Sequence, residues 1–281
     1  MSFLDHIRAC NRRDLTQFRP FRIDGALAGY ARHDMAEAIR PATNVFRVTE
    51  DEVALAPGLR TFEQRTAAVE GVVKELQGTG IMSPWRGEPY AVTIAPGGPA
   101  LFAIERAAVP LFGIRAYGVH LNGYVRKNGV THLWIGRRSR TKQTYPGMLD
   151  NAVAGGLPHG LTARECLIKE CAEEAGIPKA LAEEALPAGA ITYTGTMPEG
   201  LRRDVLYCYD LELPADFRPV CHDGELEAFM LMPVEEVAAI VRDTQQFKFN
   251  CNLVIIDFLV RRGLLGPDEP DYLAIVKGLH Q

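Results

Sequence analysis

The stretch from Ala154 to Pro178, AGGLPHGLTARECLIKECAEEAGIP, constrains the chain more than any other, because the start and the end of its helix are both written locally. Thr162 and Glu165 form a T-x-x-E capping box, in which each side chain accepts from the other residue's backbone N–H, so a helix begins directly after Thr162. Gly176 suits the left-handed position that closes a helix, and Pro178 blocks any continuation. Between these limits Glu170, Glu173 and Glu174 stand at i, i+3 and i+4, on one narrow face at about 100° per residue. Leu167, Ile168, Cys171, Ala172 and Ala175 fill the arc beside and opposite, which suits packing on a sheet.

Three like charges on one face work against the helix. Each i,i+4 repulsion costs an isolated helix roughly 0.2–0.5 kcal/mol. Glu173 and Glu174 also lie in the last turn, at the negative end of the helix dipole. A divalent cation, Mg²⁺ or Mn²⁺, offsets both effects, since hard ions take carboxylate oxygens. Taken alone, the three residues read equally well as a solvated acidic face, because charge runs are commonly surface.

Around this helix the chain reads as layered α/β. Gly118–Arg126 and Thr131–Arg137 are β-rich and flank Asn128-Gly129, the strongest short hairpin signal, because both residues tolerate positive φ. Strands are expected near Ala190–Thr196, Val205–Leu213 and Glu227–Met232, and helices over Val234–Arg242 and Asn250–Arg262. Upstream, Thr61–Gln77 has helical apolar spacing and stops at Gly78 and Gly80, ahead of the Gly/Pro-rich TIAPGGPALF. A boundary near residue 112 then separates a smaller α+β domain, 1–112, from a catalytic domain, 113–281.

Composition removes several function classes. With 47% hydrophobic and 23% charged residues the chain has material for a core and none of the signature of disorder. Its net charge of -4 lacks the basic excess of a nucleic-acid binder, but leaves room for a small phosphorylated substrate. The six cysteines form no CxxC pair and read as free thiols in a reducing compartment. The N-terminus, MSFLDHIRACNRRD, lacks an apolar signal stretch, and NLVIIDFLV is broken by Asp257 and too short to span a bilayer. The expectation is a cytoplasmic protein without a membrane partner; a homodimer is compatible with everything so far.

The helix and the loop before it resemble the Nudix hydrolase motif, G-x5-E-x7-R-E-U-x-E-E-x-G-U, where U is aliphatic. Gly155 falls on the first glycine, and Lys169 to Ile177 (KECAEEAGI) fall on the second half at the same spacing. Leu161 replaces the motif's first Glu, which removes one outer metal contact. Lys169 replaces its Arg, which keeps a cation but loses the bidentate fork. VAGGLPHGL, WRGEPYAV, HLNGYV, LWIGRRSRTKQTYPGMLDN, DGELEAF and FKFNCNLVIIDFLVRRG resemble one branch more narrowly: the Nudix proteins related to thiamine diphosphate hydrolysis, which carry an extra N-terminal domain that fungal relatives join to thiamine pyrophosphokinase.

That resemblance implies a Nudix-type α/β/α sandwich with a mixed sheet, preceded by a smaller α+β domain. It implies Mg²⁺ (or Mn²⁺) held by Glu170, Glu173 and Glu174 with a backbone carbonyl of Ala154 or Gly155. It also implies hydrolysis of thiamine diphosphate, or its oxidised analogues, to the monophosphate. In the family pattern an acid near the DGELEAF segment completes the site, with Glu227 a better fit than Glu225 and Glu199 weaker still; Glu174 or Glu227 would take the proton of water. Arg137, Arg138, Arg140 and Lys142 form the densest basic cluster, of which Arg137, Arg138 and Lys142 are expected to grip phosphate. Trp85, Tyr90 and Tyr145 are candidates for stacking on a cationic ring, against the competing role of packing, and His159 is a weaker candidate for substrate contact. Two alternatives stay open: a Nudix pyrophosphatase acting on ADP-ribose, dinucleotides or nucleoside triphosphates, and a non-catalytic sensor that binds metal and ligand.

Overall fold

Asn128 and Gly129 adopt φ of 51° and 79° in a computed structural model that describes all 281 residues, and they close the expected hairpin between Lys127 and Val130. Its strands stand at the centre of the second half of the molecule. There the elements run β7 (Arg115–Lys127), β8 (Val130–Arg138), β9 (Leu149–Asp150), β10 (Val153–Gly156), α4 (Ala163–Ala175), α5 (Lys179–Ala182), β11 (Leu186–Met197), β12 (Gly200–Glu212), β13 (Leu226–Pro233), α6 (Val234–Asp243), α7 (Cys251–Arg261) and α8 (Tyr272–Gly278). The strand order is β11-β12-β7-β8-β13, with β10 added to β7 and β9 to β8. Because β12 runs parallel to β7 while the other pairs are antiparallel, the sheet is mixed, as expected.

Alternation along β7 assigns its two faces. Val119, Leu121 and Val125 point into a core with Cys166, Leu167, Cys171 and Ala175 of α4. Tyr124 points the other way, into a core with α6 and α7. Helices thus cover both faces of one sheet, the layered α/β/α arrangement read from the sequence. Ala172 departs from the expected packing face and is exposed.

The first part of the chain contains α1 (Phe3–Cys10), β1 (Phe18–Ile23), β2 (Ala26–Arg32), α2 (His33–Ile39), β3 (Phe46–Val48), β4 (Val53–Leu55), α3 (Phe62–Glu75), β5 (Pro89–Val92) and β6 (Phe102–Glu105). Its four-stranded sheet, β2-β1-β4-β3, and the β5-β6 pair enclose a separate core around Phe21, Phe46, Val69, Phe102 and Phe112. The small sheet had no strong signal, because β3 and β4 have three residues each. Helix α1 lies elsewhere: Phe3, Leu4, Ile7 and Cys10 pack into the core with α7 and Ile275 of α8. No helix is long and apolar enough to cross a membrane.

The two parts meet where glycines let backbones touch. Leu201 N–H donates to the Pro110 carbonyl at 2.9 Å, and a Cβ on neighbouring Gly200 would fall 2.2 Å from that same oxygen. Arg203 donates to the carbonyls of Ala28 and Gly113 and lies over the Tyr30 ring.

Candidate active site

Helix α4 begins and ends where its capping residues direct. Thr162 Oγ1 accepts from Glu165 N–H at 3.2 Å, Glu165 returns the bond to Thr162 N–H at 2.8 Å, and Gly176 closes the helix at φ 61°. One buried flank packs on the sheet, which turns Glu170, Glu173 and Glu174 towards β10 and the loop before β13. Val220 N–H donates to Ala175 O and His222 N–H to Glu173 O, so the last turn of α4 holds that loop in place. The result brings carboxylate oxygens of Glu174, Asp223 and Glu225 within 4.8 Å of one another.

Glu174 is only 5% exposed, and its one hydrogen bond comes from Ala154 N–H at 2.7 Å. Burial, reinforced by Asp150, Glu170 and Glu225 and only partly opposed by that bond, pushes its carboxyl well above the usual range. Glu170 is also raised, first by burial, although Lys169 opposes the shift. Lys169 spans Glu170 at 3.3 Å and Glu173 at 2.5 Å, so it does orient two of the three acids. A buried carboxylate with no cationic partner, surrounded by other carboxylates, is unfavourable unless a cation joins it. The donors are all hard oxygens, which fits Mg²⁺ or Mn²⁺ and not a thiolate-seeking metal.

These acids line one side of a cavity of about 790 Å³. Cations line it too: Lys142 pairs with Glu225, and Lys248, Arg106 and Arg202 also border the space. Tyr145 and Phe249 lie with ring centroids 5.4 Å apart, beside Arg202 and Glu199, which are joined at 2.8 Å. Tyr145 adopts φ of 52°, costly for a bulky residue. Arg138 holds it there, donating to Tyr145 O at 3.0 Å and Thr144 O at 2.8 Å.

Several expected site residues are placed differently. Arg138 is 6% exposed, and its remaining arm is bound to Asp150 at 2.7 Å, so its guanidinium shapes the site and has little left for phosphate. Arg137 lies outside the cavity and donates to Gly147 O. Trp85 packs against the first unit's core with Lys74 over its ring. Glu227 falls at a register irregularity between Leu226 and Ala228, which turns it out to solvent near Arg140; Glu225 lines the cavity in its place. Glu170, Glu173, Glu174, Ala154, Gly155, Lys142 and Tyr145 all line the one cavity.

Other cavity residues gave no sequence signal as site residues. Asp223 sits in the DGELEAF turn, Lys248 in FKFNCN and Arg202 in GLRRD, and each reads as ordinary surface in one dimension. Below Arg138 lies a buried polar group of His120, Asp150 and Cys251. Burial opposes ionisation of Asp150, but Lys248 and Arg138 overcome it and hold the carboxyl at about 2. His120 is pushed down to about 4 by burial first, then by Lys248. Asp150 is thus the counter-ion of two cations and has no charge to spare for a metal.

Comparison with known proteins identifies the family. Residues 121–252 match the family model of the NUDIX domain, and residues 2–116 match one described as a domain of unknown function (DUF4743). The chain is similar to Nudix hydrolase 24, chloroplastic, of Arabidopsis thaliana, 46% identical over 99% of this chain and 77% of that one. Nudix hydrolase 20, chloroplastic, of the same plant is 45% identical with the same coverage, and an uncharacterized protein of Saccharomyces cerevisiae is 35% identical over 84% of this chain and 73% of its own. The plant relatives' names overturn the expectation of a cytoplasmic protein, which rested on free thiols, the lack of an apolar leader and the lack of a membrane-spanning stretch. With the capped acidic helix in place and this identity along nearly its whole length, the chain belongs to the Nudix hydrolase family and is a hydrolase.

Proposed function

We propose that this Nudix hydrolase cleaves thiamine diphosphate, or its oxidised analogues, to the monophosphate and phosphate with the help of Mg²⁺. The observation that carries the hydrolysis is the buried, cation-starved Glu174 beside Glu170, Asp223 and Glu225, in a cavity also lined by lysines and arginines. Nudix hydrolases use divalent metals. Here Glu170, Glu173 and Glu174 would hold the ion, with Asp223 completing the shell, and the ion would neutralise diphosphate oxygens and acidify water.

The chain's own groups account for the rest. Lys142 and Lys248 compensate the charge of a transferred phosphoryl group. Glu225 takes the place expected for Glu227 and accepts the proton of the attacking water, as the new oxygen–phosphorus bond forms and the bridging one breaks. Lys169 bridges Glu170 and Glu173. The thiamine assignment is supported by the sequence resemblance, and the aromatic pair Tyr145–Phe249 in the cavity offers it a stacking surface. On this reading residues from about 113 onward form the catalytic domain, with α1 packed against it.

The test is Mg²⁺-dependent turnover, read as the monophosphate products by chromatography, over thiamine diphosphate, its oxo analogue, ADP-ribose and NADH. A preference for either thiamine compound is expected, and far faster turnover of ADP-ribose overturns the substrate. If wild type and Glu173→Gln turn over every compound equally negligibly, the site binds without catalysing.

A further inference from the structure

Strand β10 carries two adjacent glycines, and they face different partners. A Cβ on Gly155 would fall 2.4 Å from Glu170 Cδ, on the α4 side. A Cβ on Gly156 would fall 1.6 Å from Tyr90 Oη and 3.4 Å from Arg106 Cζ, both of the first unit. Successive residues of a strand point to opposite faces, so the glycine strand is gripped between the acidic helix and the first unit. The loop after it is tied to the same unit. His159 N–H donates to Pro89 O at 2.7 Å, and its ring lies 4.9 Å from that of Phe62.

The groups that the first unit brings here are polar and face the cavity. Arg106 is 44% exposed and lies over the Tyr90 ring. Glu88 takes only its Nη1, at 2.8 and 3.1 Å, which leaves Nε and Nη2 free to donate elsewhere. Arg202 lines the same cavity from the second unit, close enough for its charge to act on Arg106. Tyr117, also lining the cavity, has a buried hydroxyl with no partner. An arginine fork with unspent donors, a phenol beside it and an unpaired hydroxyl form a recognition surface, whose Tyr90 and Arg106 meet β10 at Gly156 where Glu170 meets it at Gly155.

We propose that the first unit is the specificity element of the enzyme: Arg106, positioned by Glu88 and Tyr90, binds acceptor atoms on the organic half of the substrate, a planar ring bearing nitrogen or oxygen acceptors. The diphosphate is left to the α4 side. This rests on the diphosphate-hydrolase reading, and deepens it by assigning the two halves of the substrate to the two units.

The test uses the full chain with Mg²⁺ and three non-hydrolysable compounds: the methylene analogues of thiamine diphosphate and of ADP-ribose, and bare methylenediphosphonate. Calorimetry on wild type should show tighter binding of at least one organic analogue than of methylenediphosphonate. Arg106→Ala should weaken that analogue about tenfold, the equivalent of about 1.4 kcal/mol, and leave methylenediphosphonate within about twofold. Arg106→Lys, which keeps the charge without the fork, should fall between. Equal loss for all three compounds, no loss for any, or wild type that prefers no organic analogue each overturns the proposal. Because binding is read without turnover, failure here is distinct from failure of the hydrolysis assay. Arg106 is half in solvent, so its truncation opens no internal cavity, and an unchanged Tm confirms that the variant is folded.

Discussion

The two faces of β10 contrast in how their partners are specified. On one side Gly155 meets Glu170 of α4, a residue fifteen positions on, within a segment whose caps and spacing are all local. On the other side Gly156 meets Tyr90 and Arg106, which arrive from a separately folded core. The first face carries the chemistry common to the family; the second carries contacts that only this two-part architecture creates. A site can therefore be half local and half assembled, and the assembled half is where selectivity has room to differ.

The largest effect is expected on the α4 side. Glu170→Gln removes a charge from the site while nearly preserving its shape, and should lower kcat on the order of 10³-fold, about 4 kcal/mol of transition-state stabilisation. Gly155→Ala and Gly156→Ala, one methyl each, separate the two faces. Gly155→Ala drives a Cβ into Glu170, so steady-state kinetics should show lost kcat. Gly156→Ala drives one into Tyr90, so KM for the organic diphosphate should rise more than kcat falls. Each should also cost about 1–3 kcal/mol by urea denaturation, as overpacking does. If the two variants share one kinetic profile, the division between the faces is wrong.

A smaller effect concerns acid stability beneath both faces. The Asp150 carboxyl titrates at about 2 in the fold against an ordinary 3.8, because Lys248 and Arg138 outweigh its burial. A lowered carboxylate pKa contributes stability that is complete above the ordinary value and is lost as pH falls through the folded one. Wild type should therefore lose up to about 2 kcal/mol between roughly pH 4 and pH 2 from this group. Comparison of Tm against pH for wild type and Asp150→Asn checks this, since the variant should lack that share of the acid slope.

What could be read in one dimension follows the same contrast. The capping box, Gly176, the Asn128-Gly129 turn and the i, i+3, i+4 acids are short-range signals, and each sits where expected. Glu227 looked better placed than Glu225 until a register irregularity between Leu226 and Ala228 reversed which of them faces inward, and such an irregularity leaves no mark in an alternating pattern. Arg138 looked like a phosphate ligand because clusters of arginine often are; its actual partners, Asp150 and the carbonyls of Thr144 and Tyr145, depend on a loop closing back on its strand. Arg106 and Tyr90 depend on the docking of two cores, which no local spacing encodes.

The claim at the centre is that the α4 carboxylates cleave a diphosphate. Phosphate release from thiamine diphosphate, followed against Mg²⁺ concentration for wild type and Glu174→Gln side by side, tests it most directly. Wild type should show saturable dependence on Mg²⁺, and the variant a rate on the order of 10³-fold lower. A variant as active as wild type at every Mg²⁺ concentration would contradict it.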